Sequence, residues 1–468
     1  MILSQPEARI LLHTPSLAGN SVAVQARRAR CLIVGLVFLL VGNPVPAENV
    51  AIIHAGTLIT PVDGALESTK SRTIVIVGDK VARVEDGFPT PGELGFEDSS
   101  SATLIDLKDS YVLPGLIDGH VHLTALPVGN RRLGFVVFSD ADRAILGAAA
   151  AKRTLLAGFT TVRDLGARGP DSIYALRDGI SRGDVAGPRI LASGQTITPT
   201  GGHIDRSTGF RHGLFEFFTP SGVCDGAAEC TKAVRRQIRD SAEAIKLTST
   251  GGVLSAATAG VGQQFTSAEL ESIVDTAHSL GRRVAAHAHG LDGINAALDA
   301  GADSIEHGTF LDESSILRFR ESGAFLVPTL LAGDTISRWA ELEDSPLPAA
   351  QKEKALVVGP QMLMATRKAH EAGIRIALGS DSGMDGHGKN CGEFGLLVEA
   401  GLSNEEALLA SLVNAAENLG MADQIGRIQE GYYADVIATS TDPTEDIDAL
   451  CSIEMVIKGG VAHLSQRD

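Results

Sequence analysis

Between Pro114 and about Ala422, short continuous apolar runs alternate with stretches whose apolar positions recur every three to four residues. The first pattern marks strands buried on both faces, and the second marks helices packed against them. Thr160–Asp164, Arg189–Ser193, Ala244–Leu247, Val284–His287, Ser304–His307, Phe325–Thr329 and Arg375–Asp381 read as strands, with helices such as Ser267–Leu280 and Gly290–Ala300 between them. With the run that leads into His120 the strands number eight, the count of a parallel (β/α)8 TIM barrel. A doubly wound open sheet is the runner-up. The barrel is favoured because five of the strands carry His, Lys or Asp at or near their ends, and barrel enzymes gather their chemistry at C-terminal strand ends.

Both ends of the chain carry a different pattern. Val50–His54, Thr73–Val77 and Val81–Val84 are β-like runs separated by Gly, Asp and Pro turns, and similar runs return at Ala434–Ala438 and Ile453–Gly460. The two ends are expected to build one small β-sandwich, since chain termini often lie close together. The organisation expected is therefore an export segment over 1–47, sandwich over 48–113, barrel over 114–422, and sandwich again over 423–468. Residues 85–101, rich in Gly, Pro, Glu and Ser, read as a surface loop.

The export reading rests on Arg27, Arg28 and Arg30, which precede the apolar run Cys31–Val41, and on small residues before a cut at Ala47. The run is short for a bilayer span, so a cleaved secretory segment is expected in place of an anchor; an uncleaved interfacial helix is the alternative. A periplasmic or secreted protein follows. Loss of four basic groups and one acidic group with that segment takes the formal charge from −17 to −20, with 36 basic groups against 56 acidic. So acidic a chain has no basic footprint for nucleic acid, and a small-molecule substrate is expected. With 468 residues and 44% hydrophobic content, the chain can bury a large core. Cys224 and Cys230 close a short loop suited to a disulfide in an oxidising compartment, whereas Cys391 and Cys451 read as free thiols.

The chemistry begins at Leu113-Pro-Gly-Leu-Ile-Asp-Gly-His-Val-His122. In an extended strand residues i and i+2 share a face, so His120 and His122 can turn both rings toward one ion. Lys246, His287, His307 and Asp381 fall on later strands and converge on the same mouth. Burying so many costly polar groups in one place needs a shared reason, and a divalent metal centre supplies one.

These stretches, together with Gly158–Asp164, Gly201-Gly-His203, Ile245-Lys246 followed by Thr250-Gly-Gly252, His287-Ala-His-Gly290, Glu306-His-Gly308, Gly379-Ser-Asp381, His387–Asn390 and Gly431–Asp435, resemble the amidohydrolase superfamily. The likeness is strongest to its imidazolonepropionase-like branch, which includes metal-dependent Xaa-Pro and other dipeptidases. It implies a (β/α)8 barrel with a terminal β-sandwich. It also implies one zinc on His120, His122 and Asp381, a second on His287 and His307, and an N6-carboxylated Lys246 bridging the two. A carbamate suits that place because a lysine amine is a poor bridge between cations, while two carbamate oxygens and a negative charge are a good one. A metal-bridging hydroxide would attack the amide, with Asp381 as proton acceptor. His203 is expected on the carbonyl oxyanion and His289 on the substrate carboxylate. Arg206, Arg211 and Lys389 are alternative carboxylate partners, each expected on an exposed face.

The resulting expectation is a binuclear zinc hydrolase, a homo-oligomer, that cleaves dipeptides or N-acyl amino acids bearing a free α-carboxylate. The phenylalanine amide of ochratoxin lies within that class. A mononuclear deaminase or imidazolone hydrolase is the alternative, and a catalytically inactive scaffold is a third reading. The loops 199–230, 255–265, 330–351 and 384–392 carry no legible code for the side chain preferred.

Overall fold

The computed structural model describes residues 49–96, 102–125, 131–255, 260–383 and 386–465. The expected export segment lies outside the described residues, as do parts of the loops 255–265 and 384–392.

Strands β1 (Val50–Val62) and β2 (Ala65–Val77) form a long antiparallel hairpin. Its two turn residues, Asp63 and Gly64, both take positive φ, which matches the strand twist across so short a connection. β3 (Lys80–Asp86) extends the hairpin, and β4 (Ala102–Pro114) runs parallel to β1 on the other side. The chain then enters the barrel: β5 (Leu116–Val121), β6 (Phe159–Asp164), β7 (Arg189–Ala192), β8 (Ala244–Thr248), β9 (Arg283–Ala288), β10 (Ser304–His307) and β11 (Phe325–Val327). It returns as β12 (Val436–Thr439), β13 (Met455–Lys458) and β14 (Val461–Ser465). β12 pairs with β4, so both ends share one seven-stranded sheet in the order β14-β13-β12-β4-β1-β2-β3. The sandwich is thus a single sheet folded over. Its far edge at Lys80 bridges back to Tyr433 beside β12, around a core of Ile53, Ile74, Ile76, Leu107, Val436 and Ile457.

In the barrel, β5-β6-β7 and β8-β9-β10-β11 are two parallel ladders. Irregular segments close the ring. Ile197, past β7, bridges Leu247 of β8, its amide donating to Lys246 O at 2.8 Å. On the other side Ile376 bridges Leu326 and Ser382 bridges Val121. The eighth stave, 375–382, forms isolated bridges in place of a continuous ladder and is not the regular strand expected for Arg375–Asp381. Pro114-Gly115 is the passage from sheet to barrel. The Gly115 amide donates to Asp435 O at 2.9 Å, and a Cβ on Gly115 would collide with Thr160.

Two further expectations need correction. Residues 330–341, read as part of a loop, form a helix that packs against the helix Ala349–Glu371. The two approach closely because a Cβ on Gly333 would sit 2.8 Å from Met362 Sδ, and one on Gly359 would reach Gly333 O. Cys391 and Cys451, read as free thiols, are joined in a disulfide with their Cα atoms 5.3 Å apart; the pairing was hidden because 60 residues separate them. The expected Cys224–Cys230 disulfide is present, Cα atoms 5.0 Å apart. Among the described residues no helix is long and apolar enough to cross a membrane.

Candidate metal centre and its cavity

His120 is the penultimate residue of β5, and His122 directly follows the strand. The amide of Asp381 donates to His120 O at 2.7 Å, which ties the end of the eighth stave to β5. Asp381 Oδ1 then lies 3.1 Å from His122 Nε2 and 3.6 Å from His120 Nε2. Buried Asp118 stitches the same two segments: it accepts from the amides of His120 and Ser380, and from Ser380 Oγ and Asn390 Nδ2. Across the mouth, ring nitrogens of His287, His289 and His307 lie within 4.8 Å of one another, and so do ligand atoms of His120, His307 and Asp381. His203 stacks on His287 with ring centroids 4.4 Å apart. All the residues singled out in the sequence for the centre are brought together. His307, Thr329 and Asp381 each hold a positive φ at a stave end, backbone that non-glycine residues adopt at a cost and that clusters at working sites.

The rings are held in defined tautomers. His120 Nδ1 sits 2.7 Å from Glu306 Oε2; a carboxylate accepts, so the ring donates there and keeps the Nε2 lone pair toward Asp381. Thr329 Oγ1 gives its proton to Pro328 O, so in its 2.6 Å contact with His307 Nδ1 the ring must be the donor, and Nε2 is bare. His287 Nε2 points to Gly251 O at 3.4 Å, a contact that leaves Nδ1 bare when Nε2 donates. Such outer partners fix ligand orientation in metal sites.

Electrostatics point the same way. Burial, with Lys246 nearby, lowers His120 to about 4, and burial lowers His203 and His289 to about 3 each, so these rings are neutral ligands or neutral donors. Burial would raise Glu306, but Arg163 and the His120 hydrogen bond bring it down to about 2. Burial likewise opposes ionisation of Asp381, yet His120, His122 and His307 hold it below the usual carboxylate range. Lys246 lies buried in β8, its Nζ without a hydrogen-bond partner, and desolvation lowers it to about 8. An orphaned buried amine among bare ring nitrogens and a carboxylate fits a divalent-metal donor set once the amine carries a carbamate.

The centre opens into a cavity of about 500 Å³. One wall is apolar, from Ala332, Ile336 and Trp339 of the helix Leu330–Glu341 and Met362 of the helix Ala349–Glu371; the other carries Arg168 together with Arg143 and Arg206, which both lie over the Phe135 ring. Arg206 is a correction to its expected exposed place: its side chain packs inward and donates to Arg168 O and Ala167 O at 2.9 and 2.8 Å. Arg211 and Lys389 are exposed. Glu306, Arg163 and Thr329 went unassigned in the sequence, although Glu306 and Arg163 stand inside two of the motifs, because each acts through a neighbour and shows no metal-ligand spacing of its own.

The amidohydrolase family model matches residues 111–462. Ochratoxinase of Aspergillus niger is 31% identical over 431 residues, covering 88% of this chain and 86% of its own. A solved Xaa-Pro dipeptidase with methionine bound in its active site is 38% identical at a TM-score of 0.81, covering 88% of this chain and 99% of its own. A prolidase solved with N-methylphosphonate-L-proline is 30% identical at a TM-score of 0.79, covering 89% of this chain and 100% of its own.

Proposed function

Because the chain belongs to the amidohydrolase family and is a hydrolase of amide bonds, we propose that it is a binuclear, zinc-dependent enzyme for dipeptides or N-acyl amino acids with a free α-carboxylate. The observation that carries this reading is Lys246. Its buried, unpartnered amine faces the cavity between the two ligand sets and loses its proton far more readily than an ordinary lysine. The neutral Nζ attacks the carbon of carbon dioxide, an N–C bond forms, one C–O π pair moves to oxygen and the nitrogen releases a proton. The carbamate that results carries one negative charge and two oxygens, enough to serve both ligand sets. His120, His122 and Asp381 would hold one ion, and His287 and His307 the other. Divalent ions bound there polarise a scissile carbonyl and lower the pKa of water.

The protein's own groups complete the step. Asp381, ionised and within 3.1 Å of His122, is placed to take the proton of the attacking water and pass it to the departing amine. His203, neutral and with a buried Nδ1 that has no partner, can donate to the carbonyl oxygen as charge builds on it. The apolar wall suits a large hydrophobic side chain, which places ochratoxin-type phenylalanine amides and Xaa-Pro pairs in one substrate class. A mononuclear deaminase would leave Lys246 as an unexplained buried amine. Two disulfides support an oxidising compartment, and hence export.

Lys246→Ala is expected to lower bound metal from about two ions per chain and abolish hydrolysis of N-acyl-phenylalanine, with partial recovery of both on adding a short carboxylic acid. Metal analysis and turnover together check it, and a fully active, metal-replete variant would sink the binuclear reading.

A further inference from the structure

The carboxylate-bearing substrate proposed above needs a cation in the cavity, and the groups first expected to supply one cannot. His203 stacks on His287, and His289 is drawn into the cluster with His287 and His307, its Nδ1 held by Thr309 Oγ1 at 2.7 Å. Arg211 and Lys389 are exposed and do not line the cavity. The cationic wall is different in kind. Arg168 lies on the loop after β6, close enough to Asp381 and His203 to shift the charge balance of both itself and the histidine. Its backbone is clamped from two sides: the amide donates to Thr124 Oγ1 at 3.2 Å, and the carbonyl accepts from Arg206 at 2.9 Å. Its guanidinium, by contrast, makes no hydrogen bond or ion pair among the described residues and faces the cavity.

Of the acidic groups around it, Asp381 faces His120 and His122, and the others accept from neighbouring N–H and O–H groups. Asp164 accepts from the amides of Leu123 and Gly166, and Asp205 from the amides of Gly201 and Ser207 and from Ser207 Oγ. Asp140 lies against Gly169, accepts from the amide of Asp171 at 3.4 Å, and offsets the charge of Arg143 and Arg206, not that of Arg168. Arg206, buried at Nε without a partner and beside both Arg143 and Arg168, has its guanidinium pushed well below its usual range by burial and by these like charges. Three crowded guanidinium groups with one unspent fork describe a place that an anion would stabilise.

We propose that Arg168, positioned by Arg206 and Thr124, receives the α-carboxylate of the leaving amino acid and so sets the enzyme's requirement for a free acid. This rests on the substrate class proposed above. A planar guanidinium meets a carboxylate through two parallel hydrogen bonds, which fixes the scissile bond against the metal centre as well as adding affinity. The hydrophobic side chain of the same amino acid then falls toward the apolar wall.

The test compares N-acyl-phenylalanine with its C-terminal amide on wild-type protein, Arg168→Gln and Arg168→Lys, at matched metal content. Wild type is expected to favour the acid by about a hundredfold in kcat/KM. Arg168→Gln should lose about that factor on the acid, mainly through KM, and keep its rate on the amide, so the preference collapses; Arg168→Lys should recover part of it. The retained amide rate shows that the variant is folded and loaded. Binding of free phenylalanine measured by calorimetry, a readout without turnover, should weaken by a similar factor in Arg168→Gln. If wild type favours the acid and Arg168→Gln keeps that preference, Arg168 is not the anchor. If wild type turns over acid and amide equally, the carboxylate requirement itself fails, and this inference with it.

Discussion

A histidine serves a metal only as the neutral ring, and here neutrality is built in by burial before any ion arrives. That has a consequence for stability. His120 at about 4, and His203 and His289 at about 3, sit below the ordinary value of about 6.5 that they regain on unfolding. Between those values each such ring binds more protons unfolded than folded, so together they lower stability as pH drops through about 6.5 toward 4, outweighing the opposite pull of Asp118 and Glu393, which burial raises to about 6 and about 8. Glu306 has the same sign in a lower window: held at about 2, its contribution is present above about 4.5 and fades only below that. Metal-stripped protein should therefore melt at steadily lower temperature from pH 7 to pH 5, where most carboxylates are still ionised; a flat profile by calorimetry would contradict the buried-neutral assignment. The proposed ligands were legible in the sequence because each stands in a short motif on or just past a strand. Glu306 was not, since its value lies in a hydrogen bond to His120 across 186 residues. Arg168 was not, because an arginine in a loop reads as surface until the cavity behind it is seen.

At the scale of elements, alternation of apolar runs with helical periods gave the barrel, but what shapes the site is irregular. The eighth stave bridges β11 at Ile376 and β5 at Ser382, and between the two Asp381 takes a positive φ, a bend that no periodicity reports. The helix Leu330–Glu341 was missed because it begins straight after Pro328-Thr329 without a side-chain cap of its own. Its first amides are satisfied by Glu393, a carboxylate from a distant helix at 2.8 and 2.7 Å, which local sequence cannot show. The loop after β8 shows how closely these pieces fit. Gly252 lies against His203, and a Cβ there would come within 2.7 Å of Nε2 and 2.9 Å of Nδ1. Its φ is not in the left-handed region, so alanine is costly only through that contact. Gly252→Ala should push the His203 ring aside and lower kcat by roughly ten- to a hundredfold, while metal content and melting temperature stay near wild type. Unchanged turnover would remove His203 from the oxyanion role.

At the scale of the whole molecule, β-like runs at both ends announced a shared sheet, and β4 beside β12 fulfils it. Which distant points are covalently fastened was not readable, because cysteine pairing depends on a fold that brings residues 60 apart to a 5.3 Å Cα separation. The Cys391–Cys451 bond fastens two parts that matter to the cavity. Cys391 stands two residues before Glu393, the group that caps the cavity-lining helix, and Cys451 ends the short 3-10 turn Ile447–Cys451 that leads toward β13. Closing a loop of this length restricts the unfolded chain by on the order of 4 kcal/mol in the chain-entropy model. Cys451 is exposed, so mild reductant should reach this bond. Cys451→Ser is therefore expected to lower the melting temperature by several degrees with the six proposed metal ligands untouched and bound metal unchanged. The bond acts on the unfolded chain and on the brace behind Glu393, not on the ligands, so activity at moderate temperature should persist and fail earlier on heating. Alkylation of exported protein without reductant should leave Cys224, Cys230, Cys391 and Cys451 unmodified. Labelling of Cys391 or Cys451 under those conditions, or a variant that melts like wild type, would show that the two thiols are not joined in the working enzyme.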